Sequence, residues 1–130
     1  MAKIMVVDDE ADILYLVSKM LSNEGYEVIG ANSGEEALEI LEKTDPDLIL
    51  LDVMMPGISG WETSKQIKQN PSFSSVPIAM LTVKSTVEDM ERSFQFAHCD
   101  AHIPKPIIRK KMMSTVSWLL KNAPKTGGNK

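Results

Sequence analysis

The chain has 130 residues, of which 43% are hydrophobic, with a formal net charge of −4 and a single cysteine, Cys99. That length suits one domain able to bury roughly two thirds of its unfolded surface without a staple, and one cysteine with no clustered Cys/His spacing excludes an internal disulfide and a zinc cluster. The acidic balance argues against direct binding to nucleic acid or an anionic membrane surface, because phosphate backbones reward a basic one.

The opening run Met1-Ala2-Lys3-Ile4-Met5-Val6-Val7 is too short for a signal peptide or a membrane span, so a reducing, cytoplasmic setting is expected. Ile4 to Val7 reads as a strand. Asp9 to Asn23 carries Ile13, Val17, Met20 and Leu21 at helical spacing and stops at Gly25. Tyr26 to Ala31 reads as a second strand, and Ser33-Gly34-Glu35-Glu36 opens a second helix with a capping serine and early acids.

Leu48, Ile49, Leu50 and Leu51 form a continuous apolar run, the signature of a strand buried on both faces, and Asp52 follows where it must end. Pro56-Gly57 and Gly60 then supply turn chemistry before a helix from Gly60 to Gln69, which Asn70-Pro71 terminates. Val76 to Thr82 reads as the fourth strand. A helix over Thr86 to Ala97, with Val87, Met90, Phe94 and Ala97 inward, leads to a short fifth strand, Ala101 to Pro104. After Lys105-Pro106 the last helix is predicted to run to about Asn122, with Pro106 at its start and Met112, Val116, Leu119 and Leu120 inward. Residues 1–122 thus form one domain, and 123–130 form a polar tail or the start of a linker.

Strands alternating with helices through short loops imply an α/β, doubly wound parallel sheet of five strands and five helices, flavodoxin-like, with order 2-1-3-4-5. In this class, ligands bind at the carboxyl ends of strands 1 and 3, where the winding reverses. Here those ends carry Asp8, Asp9 and Asp52.

Converging carboxylates repel one another, and a bound Mg²⁺, which favours oxygen ligands and retained waters, relieves that cost. Taken alone, Asp8-Asp9-Glu10 is equally well read as acids favouring a helix N-terminus. Thr82 ends strand four and Lys105 follows strand five, so a hydroxyl and an ammonium join the same edge. The set combines a metal site, a nucleophilic carboxylate and a cation for an anion's peripheral oxygens, which is what phosphoryl transfer to an aspartate requires.

The residues Val6-Val7-Asp8-Asp9-Glu10, the run Pro46 to Gly57 with Asp52 inside it, Gly60, Thr82 and Lys105-Pro106 resemble, in order and spacing, the receiver domain of two-component response regulators, the CheY-like family. The resemblance covers residues 3 to about 122. It implies that Asp52 accepts a phosphoryl group from a sensor histidine kinase or a histidine phosphotransfer protein. It further implies Mg²⁺ held by Asp9, Asp52 and the backbone carbonyl of Met54, with Asp8 assisting through water, Thr82 and Lys105 contacting the phosphoryl group, and a cis Lys105-Pro106 bond. The domain itself is then a signalling module, not an enzyme.

Several positions depart from the family pattern. His102 stands where Tyr or Phe is usual, which predicts an altered switch because histidine buries less apolar area and titrates near neutrality. Val83 replaces a small residue and is expected to narrow the approach to Asp52, while Met54 and Lys84 are expected to flank the phosphoryl group and slow attack by water. His98 stands where glycine is usual, which predicts a left-handed conformation at a helix end. Cys99 reads as a small buried hydrophobe. Phe96 and Trp118 fall about 200° around their helices from Phe94 and Val116, which leaves open a partner or dimer site and partial burial against loops. Downstream output would use the face of the fourth helix, fifth strand and fifth helix, either in a complete single-domain regulator or in the receiver part of a longer one.

Two other functions fit less well. A Mg²⁺-dependent aspartyl-phosphate phosphatase needs a second acid two residues past its nucleophile, where this chain has Met54. A flavin module needs a Ser/Thr-rich phosphate loop where this chain has Asp8-Asp9-Glu10.

Overall fold

The computed structural model describes residues 2–83, 91 and 95–122. Its elements are β1 (Lys3–Val7), α1 (Ala11–Asn23), β2 (Glu27–Ala31), α2 (Gly34–Leu41), β3 (Leu48–Asp52), α3 (Gly60–Gln69), β4 (Ile78–Thr82), β5 (Ala101–Pro104) and α4 (Arg109–Asn122). All neighbouring strands pair in parallel, in the order β2-β1-β3-β4-β5. Four helices appear among the described residues. The predicted helix over 86–97, with Val87, Met90 and Phe94, lies largely outside them, as do Lys84 and the predicted tail 123–130.

The continuous apolar strands follow from burial on both faces. Met5, Val7, Ile49 and Leu51 pack with Ala37 and Leu41 of α2 and Ile67 of α3, while Ile4, Val6, Leu48 and Leu50 pack with Val17 and Leu21 of α1 and Met112, Val116 and Leu119 of α4. One strand therefore feeds two cores by side-chain alternation. Right-handed crossovers place α2 and α3 on one face and α1 and α4 on the other.

Local chemistry sets the helix ends. Ser33 Oγ accepts from the Glu36 amide at 3.0 Å, and Ser59 Oγ accepts from the Glu62 amide at 3.1 Å, each satisfying a donor that the first turn leaves open. Gly25, at φ +92°, ends α1 in a conformation that side chains disfavour. At Gly60 the backbone passes so close to the Asp52 carbonyl that a Cβ would collide with it, and the Gly60 amide donates to Val53 at 2.8 Å. That approach seats the start of α3 against the end of β3.

Boundaries differ most from expectation at α1, β4 and the last helix. Helix α1 begins at Ala11, not Asp9. β4 begins at Ile78, because Val76 is held in a turn by its bond to the Phe73 carbonyl. Pro106 does not open the last helix: the first turn of α4 closes on the Ile108 carbonyl, so Pro106 belongs to the loop after β5. No helix among the described residues is long and apolar enough to cross a membrane.

Candidate functional site

Four strand ends deliver the candidate site's side chains. Asp52 is the last residue of β3 and Thr82 the last of β4, while Asp8 follows β1 directly and Lys105 follows β5. The Asp8 amide donates to the Ala31 carbonyl at 3.1 Å and its Oδ1 accepts from the Glu10 amide at 2.9 Å, which fixes the loop into α1. The Lys105 amide donates to the Thr82 carbonyl at 2.8 Å and continues the β4–β5 ladder one step past the strand end. These bonds keep side chains from distant parts of the chain at one edge.

Asp8 is fully buried, Asp52 is 5% exposed and Thr82 8% exposed, whereas Asp9 faces solvent. Lys105 Nζ lies 3.0 Å from Asp8 Oδ2, 3.2 Å from Asp52 Oδ1 and 3.5 Å from Glu10 Oε1. Burial, and then the charge of Asp8, push the Asp52 carboxyl up to about 6 against the opposing pull of Lys105. For Lys105, burial works to lower the pKa, but the hydrogen bond to Asp8 and the charges of Asp52 and Asp8 outweigh it and raise the value. The lysine stays cationic at neutral pH, yet one ammonium does not balance the acids around it.

Asp8, Asp9 and Asp52 each bring one carboxylate oxygen within 4.8 Å of the others. Oxygen-only donors, with two of the three side chains buried, fit a hard divalent cation, whose charge offsets most of the surplus. The sequence expectation and the geometry therefore meet at the same three acids.

The remaining predicted residues divide. Met54 and Val83 are 69% and 68% exposed at positions just past Asp52 and Thr82. His102 faces Met80 in the β4–β5 register and is only partly exposed, and burial lowers its pKa. His98 adopts φ 57°, the left-handed conformation expected of it, and Lys105–Pro106 is cis. Cys99 is buried, which pushes its thiol up to about 12. Phe96 and Trp118 are 39% and 59% exposed, and Lys65 Nζ lies 4.5 Å from the Phe96 ring centre. Sequence reasoning missed Glu10 as a third carboxylate on Lys105; its only signal was its place directly after the acid pair.

The chain is similar to known proteins in sequence and in fold. A probable transcriptional regulator, ycf27, of Porphyridium aerugineum is 37% identical over 127 residues, 98% of this chain and 51% of that protein. The alkaline phosphatase synthesis transcriptional regulatory protein PhoP of Bacillus subtilis is 39% identical over 121 residues, 93% of this chain and 49% of its own. The chain thus spans about half the length of these curated relatives. Among solved structures, the chemotaxis protein CheY4 of Vibrio cholerae superposes with a TM-score of 0.87 at 32% identity, covering 91% of this chain and 98% of that one. With the response regulator receiver domain model matching residues 4–117, the chain belongs to the response regulator receiver family of two-component systems.

Proposed function

We propose that Asp52 is the phosphoacceptor of this receiver and takes its phosphoryl group from a phosphohistidine on a sensor histidine kinase or a histidine phosphotransfer protein. The observation that carries this reading is the buried Asp52 carboxylate at the end of β3, 3.2 Å from the Lys105 ammonium and clustered with Asp8 and Asp9. An Asp52 oxygen attacks phosphorus, the phosphorus–nitrogen bond breaks, and the electron pair leaves with the imidazole, which takes up a proton. Asp8, Asp9, Asp52 and the backbone carbonyl of Met54 would hold Mg²⁺. When bound, that ion supplies positive charge against the phosphoryl oxygens and the clustered acids. Lys105 offers a compact second charge to those oxygens, and the Thr82 hydroxyl donates to one of them.

The phosphorylated domain would act through the surface formed by the predicted fourth helix, β5 and α4. Trp118 and Phe96 offer exposed aromatic area for a downstream protein or a second copy. His102 would couple that face to Thr82, and Val83 would border the entrance. The greater length of the relatives supports a second reading, in which the domain controls an attached output domain of a longer regulator.

Incubation with Mg²⁺ and acetyl phosphate, followed by intact mass measurement, tests the phosphoacceptor. Wild type is expected to gain one phosphate and Asp52→Asn none; equal gain in both, or gain in neither, would remove the assignment.

A further inference from the structure

We propose that Glu10 is a positioning residue that holds the Lys105 ammonium in the resting pocket and restrains phosphorylation by small anionic donors. The inference rests on the reading of Asp52 as phosphoacceptor. Lys105 has three ammonium hydrogens and three carboxylates to meet, with Asp8 at 3.0 Å, Asp52 at 3.2 Å and Glu10 at 3.5 Å. The inner two side chains are 0% and 7% exposed, whereas Glu10 is 64% exposed, so only Glu10 can leave for water cheaply.

The backbone of Glu10 is nonetheless fixed. Its amide donates to Asp8 Oδ1 at 2.9 Å and its carbonyl accepts from Leu14 at 3.0 Å, which opens α1. Glu10 stands at the N-cap of that helix, yet its side chain makes no capping bond. An acid at a helix start commonly turns to the free amides there; this one is directed to the ammonium instead. The contact joins the loop after β1 to the loop after β5 across the mouth of the site.

Two consequences follow. Asp8, Asp9, Asp52 and Glu10 are four carboxylates against one ammonium, so a divalent cation still leaves one negative charge facing an incoming phosphate. Removing the Glu10 charge cancels that residue. Glu10 also competes with the arriving phosphoryl oxygens for Lys105, so its loss frees the lysine for them. A kinase or phosphotransfer protein can offset this restraint with its own contacts, and a free metabolite cannot.

The test compares wild type, Glu10→Gln and Glu10→Asp at saturating Mg²⁺, with initial phosphate gain read by intact mass. Glu10→Gln is expected to react about three- to tenfold faster with dianionic acetyl phosphate, less so with singly charged phosphoramidate, and the gap should shrink in high salt. Glu10→Asp, which keeps the charge but shortens the reach to Lys105, should fall between wild type and Glu10→Gln. In metal-free protein, the Lys105 Nζ resonance should shift and its hydrogens exchange faster with water in Glu10→Gln. An unchanged Glu10→Gln rate or an unmoved Lys105 resonance overturns the proposal while leaving Asp52 in place. Absence of phosphate gain in wild type overturns the Asp52 reading and this one with it.

Discussion

The two edges of the sheet each carry a lysine paired with acid, and the two are matched differently. At the amino-terminal edge, Lys68 Nζ donates to the Val76 carbonyl at 2.7 Å and to Asp100 at 3.0 Å, and the same Asp100 oxygen accepts from the Ile78 amide at 2.8 Å. One ammonium meets one carboxylate, and the remaining bonds are to backbone. At the carboxyl edge, Lys105 meets three carboxylates within 3.5 Å, two of them buried, with Asp9 close by. The first arrangement joins α3 to β4 and to the chain entering β5; the second leaves a surplus of negative charge that an added cation reduces. A balanced pair reads as structure, and an unbalanced one at a ligand-binding edge reads as a site.

Removing each lysine should separate the two edges most clearly. Lys105→Met leaves Asp8 and Asp52 buried without a cation, and is expected to lose about 3 kcal/mol of stability in chelator, measured by urea unfolding at neutral pH. Mg²⁺ should restore most of that loss, and should stabilise wild type by roughly 1–3 kcal/mol once it exceeds its dissociation constant ten- to a hundredfold. If both proteins unfold at the same urea concentration with and without Mg²⁺, the surplus-charge account of this edge fails.

Asp52→Asn sharpens the comparison from the opposite direction. The Asp52 carboxyl is raised from 3.8 to about 6, so between those values the folded protein binds more protons than the unfolded chain. In metal-free buffer its contribution to stability is therefore favourable at low pH, declines as pH rises from about 4 to about 6, and stays lost above. Asp52→Asn should remove that decline and be more stable than wild type by about 2 kcal/mol at neutral pH. Burial lowers the His102 pKa, which acts with the opposite sign, but His102 is common to both proteins and drops out of the difference.

Lys68→Met should cost less, about 1 kcal/mol, because Asp100 is 40% exposed and can be rehydrated, and Mg²⁺ should not recover the loss. The smallest effect is expected for Trp118→Ala: with the side chain 59% exposed, stability should change by less than about 0.5 kcal/mol. A loss above 2 kcal/mol would show that the indole packs against the fold and is not available to a partner.

The ends of β1, β3 and β4 were legible in the sequence because strands buried on both faces are written as unbroken apolar runs, and these three stop at Asp8, Asp52 and Thr82. Asp8, Asp52, Thr82 and Lys105 all lie at strand ends, so one topological rule placed them together. The left-handed His98 was legible only through the family resemblance, because it stands where glycine is usual. Contacts between side chains far apart in sequence were not. Neither the Glu10–Lys105 approach nor the Lys68–Asp100 pair leaves a periodic trace, since exposed Glu and Lys are common everywhere in a chain of this composition. Pro106 misled because a proline suits both a first helical turn and the loop before it.

Borohydride reduction of the acetyl phosphate-treated protein, followed by peptide mapping, reads the phosphoacceptor itself, because an aspartyl phosphate is reduced to homoserine. The account predicts homoserine at position 52 alone, formed only when Mg²⁺ was present during labelling. Homoserine at position 8 or 9, or at none, would contradict it.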